Sequence, residues 1–307
     1  MRVDGYDDVH RLEVGGTVAF VALHAVLRGR AFGGVRIKRY DTERAALDDA
    51  LALARAMSRK VVMAGIPGGG AKTVIMEGGD RTAAVRSVGE YIESLGGRYC
   101  CGADYGFTPA DDAVLRSATK YVACGDLAPA TARTVVLAMR AIIDARVVAI
   151  QGLGAVGRPI AEMLKASGVR VIGSDVKGGD LEPGRIYDVE CDVFAPCALG
   201  DVLDDATIPR LKCKVVCGAA NNPLAVDGDE LRRRGIVYVP DFIANSGATI
   251  KGASTTIGEG HLVESRLNAV GPLVKEIVNR AAREGRSPQD VAVEIADERI
   301  AALRQLR

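Results

Sequence analysis

The stretch VVAIQGLGAVG, residues 147–157, decides how the second half of this chain folds. A short apolar run leads into Gly152, Gly154 and Gly157, and after Arg158 the segment PIAEMLKASG has the composition of a helix. Gly152 permits a tight turn, Gly154 allows close approach to the backbone, and Gly157 lets the helix pack closely on the strand. The free N–H groups and the dipole at the start of that helix favour a bound pyrophosphate. The stretch therefore predicts a dinucleotide-binding turn.

An acidic residue follows this turn at the spacing that such sites use. Asp175 ends the next apolar run, 21 residues beyond Gly154. A carboxylate there accepts hydrogen bonds from the ribose hydroxyls and repels a 2′-phosphate, so we expect NAD rather than NADP. Lys177 opposes this preference, and a purely structural Asp175 is the alternative. The predicted cofactor contacts of this region are Gly152, Gly154, Ala155, Val156, Gly157 and Asp175.

Further short apolar runs fill the rest of the second half. RVVAIQ, VRVIGSD, CDVFAP, KVVCGAA and IVYVPD are each bounded by turn residues or helical stretches, which is typical of parallel strands buried on both faces. The series predicts a doubly wound Rossmann sheet. Only 15 residues separate Asp175 from Cys191. We therefore expect the usual second crossover helix to be shortened or replaced by a loop.

The first half mixes strand and helix patterns. Residues 13–38 alternate apolar and polar stretches around Gly15-Gly16, which predicts hairpin strands. Asp41 is the expected N-cap of a helix that runs to Met57. That helix would deliver Lys60 just beyond its end, before a glycine-rich turn into another strand.

The length of 307 residues is sufficient for two domains. We expect an α/β protein with an N-terminal α/β substrate domain, a Rossmann domain after it, and a cleft between the two. The predicted bounds are residues 1–128 for the substrate, catalytic and oligomerisation domain, 129–290 for the NAD-binding domain and 291–307 for a C-terminal helix.

Composition limits the classes of partner. A net charge of +1, with basic residues spread along the chain, gives no reason to expect nucleic acid or a membrane surface, so small molecules are the expected partners. The start MRVDGYDDVH has no apolar signal core, and we expect a cytoplasmic protein.

The seven cysteines are interpreted as reduced thiols. Cys213 and Cys217 lie four residues apart, but with three histidines in the chain we predict no metal site.

Two lysines stand out beside the glycine-rich turn of the first half. Lys60 and Lys72 are separated by the segment VVMAGIPGGGA, which could bring both into one pocket. A lysine can hold a carboxylate as a point charge, and it can act as a base if burial and a nearby cation lower its pKa. A solvated surface is the usual position of a lysine and is the alternative.

Several segments together resemble the glutamate, leucine, phenylalanine and valine dehydrogenase family. The resemblance runs in order from about residue 30 to residue 305, with flanks of the second half most like leucine dehydrogenase and the GGGAK string more like the glutamate branch. The segments that carry it are GRAFGGVRI, AMSRKVVMAGIPGGGAKTVIM, GADYGFT, QGLGAVG, CDVFAPCALG, CGAANNPL and PDFIANSGA. It implies NAD-dependent, reversible oxidative deamination of an L-amino acid to a 2-oxo acid and ammonia.

The resemblance also implies roles for residues of the first half. Lys60 would bind the substrate carboxylate with help from the backbone at Gly33 and Gly34. Lys72 would be the catalytic lysine of low pKa that activates water, and Asp104 would move protons to and from the substrate nitrogen. A structural turn at Asp104 is the alternative.

Residues of the second half would contact the nicotinamide end and the substrate. Asn245 would orient the substrate, and Leu267 and Val270 would line an apolar side-chain pocket, with core packing as the alternative. No lysine aligns to hold a second carboxylate, so we expect an aliphatic or aromatic substrate. The positions that match nicotinamide contacts are Thr131, Ala219, Ala220 and Asn221.

The chain departs from the family pattern in two places. It ends at ERIAALRQLR, where leucine dehydrogenases continue with a segment that helps assembly, so we expect a homo-oligomer in the form of a dimer. Tyr105 replaces the small aliphatic residue usual after the catalytic aspartate. Alternative functions are a shikimate or methylenetetrahydrofolate dehydrogenase, an imine-forming or imine-reducing enzyme of secondary metabolism, and a non-catalytic NAD-binding homologue.

Overall fold

A computed structural model describes residues 1–226 and 228–306, and the chain divides into two compact units. Unit 1 comprises Met1–Gly125, Gly252–Gly260 and Ala296–Arg307. Unit 2 comprises Asp126–Lys251 and His261–Ile295.

Unit 1 contains a mixed six-stranded sheet in the order β1-β2-β5-β3-β6, with β4 also paired to β5. β1 and β2 form the predicted hairpin, and the turn at Gly15 and Gly16 has φ values of 56° and 79°, which glycine adopts without strain. β3 and β4 run parallel to β5, whereas β2 is antiparallel to it. The strands are β1 Asp8–Val14, β2 Thr17–Leu23, β3 Ala31–Phe32, β4 Val35–Lys38, β5 Gly69–Met76 and β6 Tyr99–Cys100.

The helices that lie entirely within the described part of unit 1 are α1 Glu43–Met63, α2 Arg81–Ser94 and α3 Pro109–Ala118. The predicted start of α1 was one residue early, because the Thr42 side chain, not Asp41, accepts the hydrogen bond from Ala45 N. The predicted end at Met57 was also wrong. Apolar residues continue the buried face to Met63, and Gly65, with a φ of 68°, follows the end of the helix. Lys60 therefore lies in the last turn of α1.

Small side chains allow α1 to pack closely on β5. Ala46, Ala50, Ala54 and Ser58 recur every four residues along its buried face. A Cβ added at Gly70 of β5 would lie 2.0 Å from the Ser58 nitrogen, so only glycine fits there. This close contact fixes the position of β5 and of Lys72, two residues further on.

The described residues of unit 2 form a sheet of five strands that are all parallel, as the five apolar runs predicted. Their order is β8-β7-β9-β10-β11. The order reverses between β7 and β9, and a doubly wound sheet binds ligands outside the carboxyl ends of its strands at such a switch point. The strands are β7 Val147–Gln151, β8 Arg170–Ser174, β9 Val193–Pro196, β10 Val215–Val216 and β11 Val237–Tyr238.

The connection from β8 to β9, which the structure describes in full, lacks the usual crossover helix, as the few residues between Asp175 and Cys191 predicted. It contains a 3₁₀ helix, Pro183–Asp188, in place of a crossover α-helix. An isolated parallel bridge joins Ser174 to Leu181 beside β8. The described residues of this connection form no further strand, so β8 ends the sheet.

The remaining helices are α4 Ala128–Ile142, α5 Gly157–Lys165, α6 Asp229–Arg233, α7 Asp241–Ala244, α8 Gly247–Thr256, α9 Val263–Glu284 and α10 Pro288–Gln305. A break separates α9 from α10 at Gly285, which adopts a left-handed φ of 65°. Within the described residues, no helix combines the length and the apolar character that a membrane crossing needs.

Ser58 provides a test of the packing between α1 and β5. Its hydroxyl oxygen accepts a hydrogen bond of 2.8 Å from Gly70 N and lies 2.8 Å from His24 Nδ1. We expect Ser58→Ala to lower the free energy of unfolding by ~1–3 kcal/mol, because it leaves a buried N–H group without a partner. Calorimetric melting would show the loss. Ser94→Ala, at an exposed serine of α2, is the control, and equal melting temperatures for the two variants would contradict the expectation.

Candidate functional site

The two predicted catalytic residues are in direct contact in unit 1. Lys72 lies on β5 with 4% of its surface exposed, and its Nζ donates a hydrogen bond of 2.6 Å to Asp104 Oδ2. Asp104 follows β6 in a turn that is held by a hydrogen bond of 3.1 Å from its N–H to Val35 O. The structure thus places a buried amine and a carboxylate where one proton can be shared between them.

A second cation, Arg36, was not identified from the sequence. Its Nε donates to the same Asp104 oxygen over 2.9 Å, and its Nη1 donates to Asp49 Oδ2 of α1 over 3.0 Å. The Tyr40 hydroxyl also donates to Asp49. The sequence could have indicated Arg36 through its spacing from Gly34, since residues two apart in an extended chain share a face and Gly34 was already a candidate.

Burial and charge change the pKa of both catalytic candidates. Desolvation lowers the pKa of Lys72 despite the contact with Asp104, and Arg36 lowers it further. Burial alone would raise the pKa of Asp104, but Lys72 and Arg36 outweigh this effect and lower it to about 2. Asp104 is therefore ionised at neutral pH, and Lys72 can lose its proton more readily than an exposed lysine.

Two glycines border this pair, and they differ in what their backbone can offer. A Cβ on Gly34 would lie 3.1 Å from Lys72 Nζ, so the absence of a side chain leaves space beside the amine. The N–H of Gly33 donates to Cys100 O over 3.1 Å, whereas no described residue accepts a hydrogen bond from Gly34 N. Of the two predicted contacts, Gly34 has the N–H group that is open to a ligand.

The dinucleotide turn of unit 2 has the close contacts that its glycines predict. A Cβ on Gly152 would lie 2.8 Å from the Ala198 side chain, and one on Gly157 would lie 1.9 Å from Gly152 O. Nothing lies within 4 Å of the corresponding point at Gly154, which leaves its backbone open. The N-cap Val156 makes no side-chain hydrogen bond. Arg158 N donates to Gly154 O and Pro159 has no N–H group, so among the described residues it is the N–H of Gly157 that the first turn of α5 leaves for an anion. Together with the neighbouring Ala155, this turn fits a pyrophosphate.

Asp175 closes the turn from the other side. One carboxylate oxygen accepts a hydrogen bond of 2.7 Å from Leu153 N, and the other accepts one of 2.9 Å from Lys177 N. These backbone contacts lower the pKa of Asp175. The carboxylate thus stands charged beside the glycine turn, where the ribose contact is predicted.

The structure brings together Asn245 and the predicted nicotinamide-side turn. Asn245 Nδ2 lies 2.9 Å from Asn221 Oδ1 and also donates to Ala219 O and Ala220 O. Thr131 of α4 accepts a hydrogen bond from Ala248 N over 3.0 Å. The sequence did not reveal Asp241, which orders the same turn.

Asp241 lies at the start of α7 and is buried. Its Oδ2 accepts a hydrogen bond of 2.9 Å from Asn222 N, and its Oδ1 accepts one of 3.2 Å from the Tyr238 hydroxyl. Asn222 has a φ of 47°, so the carboxylate stabilises a turn that bends sharply after Asn221.

The two residues predicted to line an apolar side-chain pocket are buried in the core of unit 2. Leu267 and Val270 are each 3% exposed on α9, which packs against α4. This burial favours the core-packing alternative for both. Tyr105, in contrast, is 61% exposed, with the Arg36 guanidinium 6.0 Å from the centre of its ring.

Two sequence models of one family match the chain. The model described as "Glu/Leu/Phe/Val dehydrogenase, dimerisation domain" covers residues 7–121. The model described as "Glutamate/Leucine/Phenylalanine/Valine dehydrogenase" covers residues 180–302.

Individual relatives match over nearly the whole length. Leucine dehydrogenase of Bacillus cereus is 36% identical over 329 residues, which cover 95% of this chain and 89% of that enzyme. The crystal structure of L-tryptophan dehydrogenase from Nostoc punctiforme is 32% identical and superposes with a TM-score of 0.86, covering 98% of this chain and 97% of that one. The predicted α/β fold and the predicted family are both confirmed. With matches of this extent, the chain belongs to the Glu/Leu/Phe/Val dehydrogenase family.

Proposed function

We propose that this protein uses NAD to oxidise one L-amino acid to its 2-oxo acid with release of ammonia, in a reversible reaction. The class of reaction follows from the family. The chain is an amino acid dehydrogenase that acts on an aliphatic or aromatic amino acid and uses a nicotinamide cofactor. The buried contact between Lys72 and Asp104 is the observation that supports the chemistry most directly.

The residues of unit 1 suit the binding of an α-amino acid. Lys60 supplies a positive charge for the carboxylate, and the open N–H of Gly34 supplies a hydrogen bond to it. The space beside Gly34 lets the α-carbon approach Lys72 Nζ. The amino group then lies next to Asp104.

Proton transfer by two residues completes the reaction. The bound nicotinamide would accept a hydride from the α-carbon, which converts the amine to an iminium group. Neutral Lys72 takes a proton from water as the water adds to that carbon, giving a carbinolamine. Asp104 then carries the proton that Lys72 has gained to the nitrogen, and ammonia leaves as the carbonyl forms and the hydroxyl proton returns to Lys72. Because the two groups are coupled, a pH profile reports on the pair and not on either residue alone.

The residues of unit 2 suit NAD. The turn from Gly152 to Gly157 would hold the pyrophosphate, and Asp175 would hold the adenosine ribose. At the other end, Thr131 and the turn at Ala219–Asn221 would contact the nicotinamide, with Asn245 positioned by the same turn. The carboxylate at Asp175 disfavours a 2′-phosphate, which is the reason to propose NAD rather than NADP.

Domain roles and assembly complete the proposal. We propose that residues 1–128 form the substrate domain, that residues 129–290 bind NAD with residues 291–307 as a C-terminal helix, and that the protein is a cytoplasmic homodimer. The match of residues 7–121 to a dimerisation domain supports the oligomer.

The experiment that tests this function is a panel of the proteinogenic L-amino acids with NAD or NADP, followed by reduced nicotinamide absorbance and ammonia release. Turnover with one aliphatic or aromatic amino acid, with ammonia formed in equal amount, is the expected result. Reduction without ammonia would instead favour imine chemistry. NAD binding without any turnover would favour a non-catalytic homologue.

Lys72→Ala is expected to lower kcat by roughly 10²- to 10⁴-fold, because it removes the group that activates water. NAD binding, measured by calorimetry, should stay unchanged, since the cofactor contacts lie in unit 2. Lys120→Ala, at an exposed lysine of unit 1, is the control. Turnover by Lys72→Ala at the rate of the wild-type enzyme would remove Lys72 from the mechanism.

Asp175→Asn is expected to lower the ratio of kcat/KM for NAD to that for NADP by about tenfold, because it removes the charge that repels a 2′-phosphate. Asparagine retains an oxygen that can accept the hydrogen bond from Leu153 N but loses the acceptor of the Lys177 N–H, so the melting temperature of the variant is measured to check that the turn keeps its shape. Asp180→Asn, which changes the acceptor of the Gly173 N–H in the same connection, is the matched control. An unchanged cofactor ratio in Asp175→Asn would show that the ribose contact lies elsewhere.

A further inference from the structure

Arg36 joins two carboxylates that come from different elements of unit 1. On one side its Nε contacts Asp104 in the turn after β6, and on the other its Nη1 contacts Asp49 of α1. Its side chain is only 20% exposed. A buried guanidinium needs both partners, because an unpaired charge in such surroundings is costly.

The contacts on Asp104 are asymmetric. Lys72 Nζ and Arg36 Nε both donate to Oδ2, at 2.6 and 2.9 Å, and no described residue donates to Oδ1. Two fixed donors on one oxygen set the plane of the carboxylate. The second oxygen is therefore left for a ligand in a constant direction.

Asp49 is in turn held by two donors. Arg36 Nη1 donates to its Oδ2 over 3.0 Å, and the Tyr40 hydroxyl donates to the same oxygen. Tyr40 and Asp49 thus fix the far end of the guanidinium, so Arg36 has little freedom to follow changes at Asp104.

We propose that Arg36 is a positioning residue of the dehydrogenase: it holds Asp104 in one orientation and places a fixed positive charge beside Lys72, while Asp49 fixes Arg36. This inference rests on the proposed function for its consequence, since Asp104 Oδ1 is then directed to the substrate nitrogen. The geometry itself comes from the contacts among these four side chains.

The charges around Lys72 have opposite effects on its amine. Arg36 lowers the pKa of Lys72, whereas Asp104 and Asp49 raise it. The other titratable side chains on or beside the elements next to β5 include His24, Lys38, Tyr40, Lys60 and Tyr99. Replacing Arg36 and replacing Asp49 should therefore move the pKa of Lys72 in opposite directions.

The test measures how fast Lys72 reacts with acetic anhydride at a series of pH values, with the modified peptide identified by mass spectrometry. Only the neutral amine reacts, so the midpoint of the rate profile reports the pKa of Lys72. We expect Arg36→Met to raise this midpoint and Asp49→Asn to lower it, each by ~0.5–1 pH unit. Arg44→Met and Asp48→Asn are the matched controls, because they form an exposed ion pair on the same helix.

Arg36→Lys separates charge from orientation. Lysine keeps the positive charge but lacks the planar fork that reaches both carboxylates. We expect its Lys72 midpoint to stay near that of the wild-type protein while kcat falls at least tenfold with little change in KM. Melting temperatures of all variants would show which of them fold. If Arg36→Met does not fold, Asp49→Asn still tests the effect of charge on the pKa of Lys72.

Opposite shifts in the two charge variants, with unmoved controls, would support the proposal. Unmoved midpoints, or shifts of the same sign, would overturn it. The labelling needs no turnover, so its outcome is independent of the amino acid panel. If no amino acid of the panel is turned over but the two Lys72 midpoints shift in opposite directions, the proposed function would be contradicted and the role of Arg36 beside Lys72 would stand.

Discussion

The buried amine of Lys72 is the constraint on which unit 1 depends. A charge removed from water is costly unless it is paired and hydrogen-bonded. Asp104 pairs with it, Arg36 shares the same carboxylate oxygen, and Asp49 balances Arg36. These four side chains come from β5, the turn after β6, β4 and α1, so the packing of four separate segments is tied to one chain of charges.

Close packing makes this arrangement possible. The small residues of α1 and the glycine at position 70 bring the helix against β5, while Gly34 leaves room at the amine itself. A Cβ at Gly70 would overlap the backbone of α1, and one at Gly34 would crowd the side chains of Lys72 and Asp104. Gly70, in the glycine-rich segment between Lys60 and Lys72, is therefore needed for packing, and Gly34 is needed for space to bind a ligand.

Much of this could be predicted from the sequence, and the exceptions share a cause. The glycine turn at residues 152–157, the five parallel strands and the shortened connection after Asp175 follow from local patterns, and all appear in the structure. Arg36, Asp49 and Asp241 were missed because their roles depend on contacts between residues distant in the chain. The end of α1 was misplaced for a related reason: Val61 to Met63 continue a buried face that the shorter predicted helix did not include.

In the proposed reaction, this protein removes hydride from the α-carbon of an amino acid and releases its nitrogen as ammonia. The most direct measurement follows turnover of a substrate that carries deuterium on the α-carbon, with mass spectrometry of the reduced nicotinamide and assay of ammonia. The expected result is one deuterium in each reduced nicotinamide and one ammonia for each turnover. Reduced nicotinamide without deuterium, or formed without ammonia, would contradict the claim.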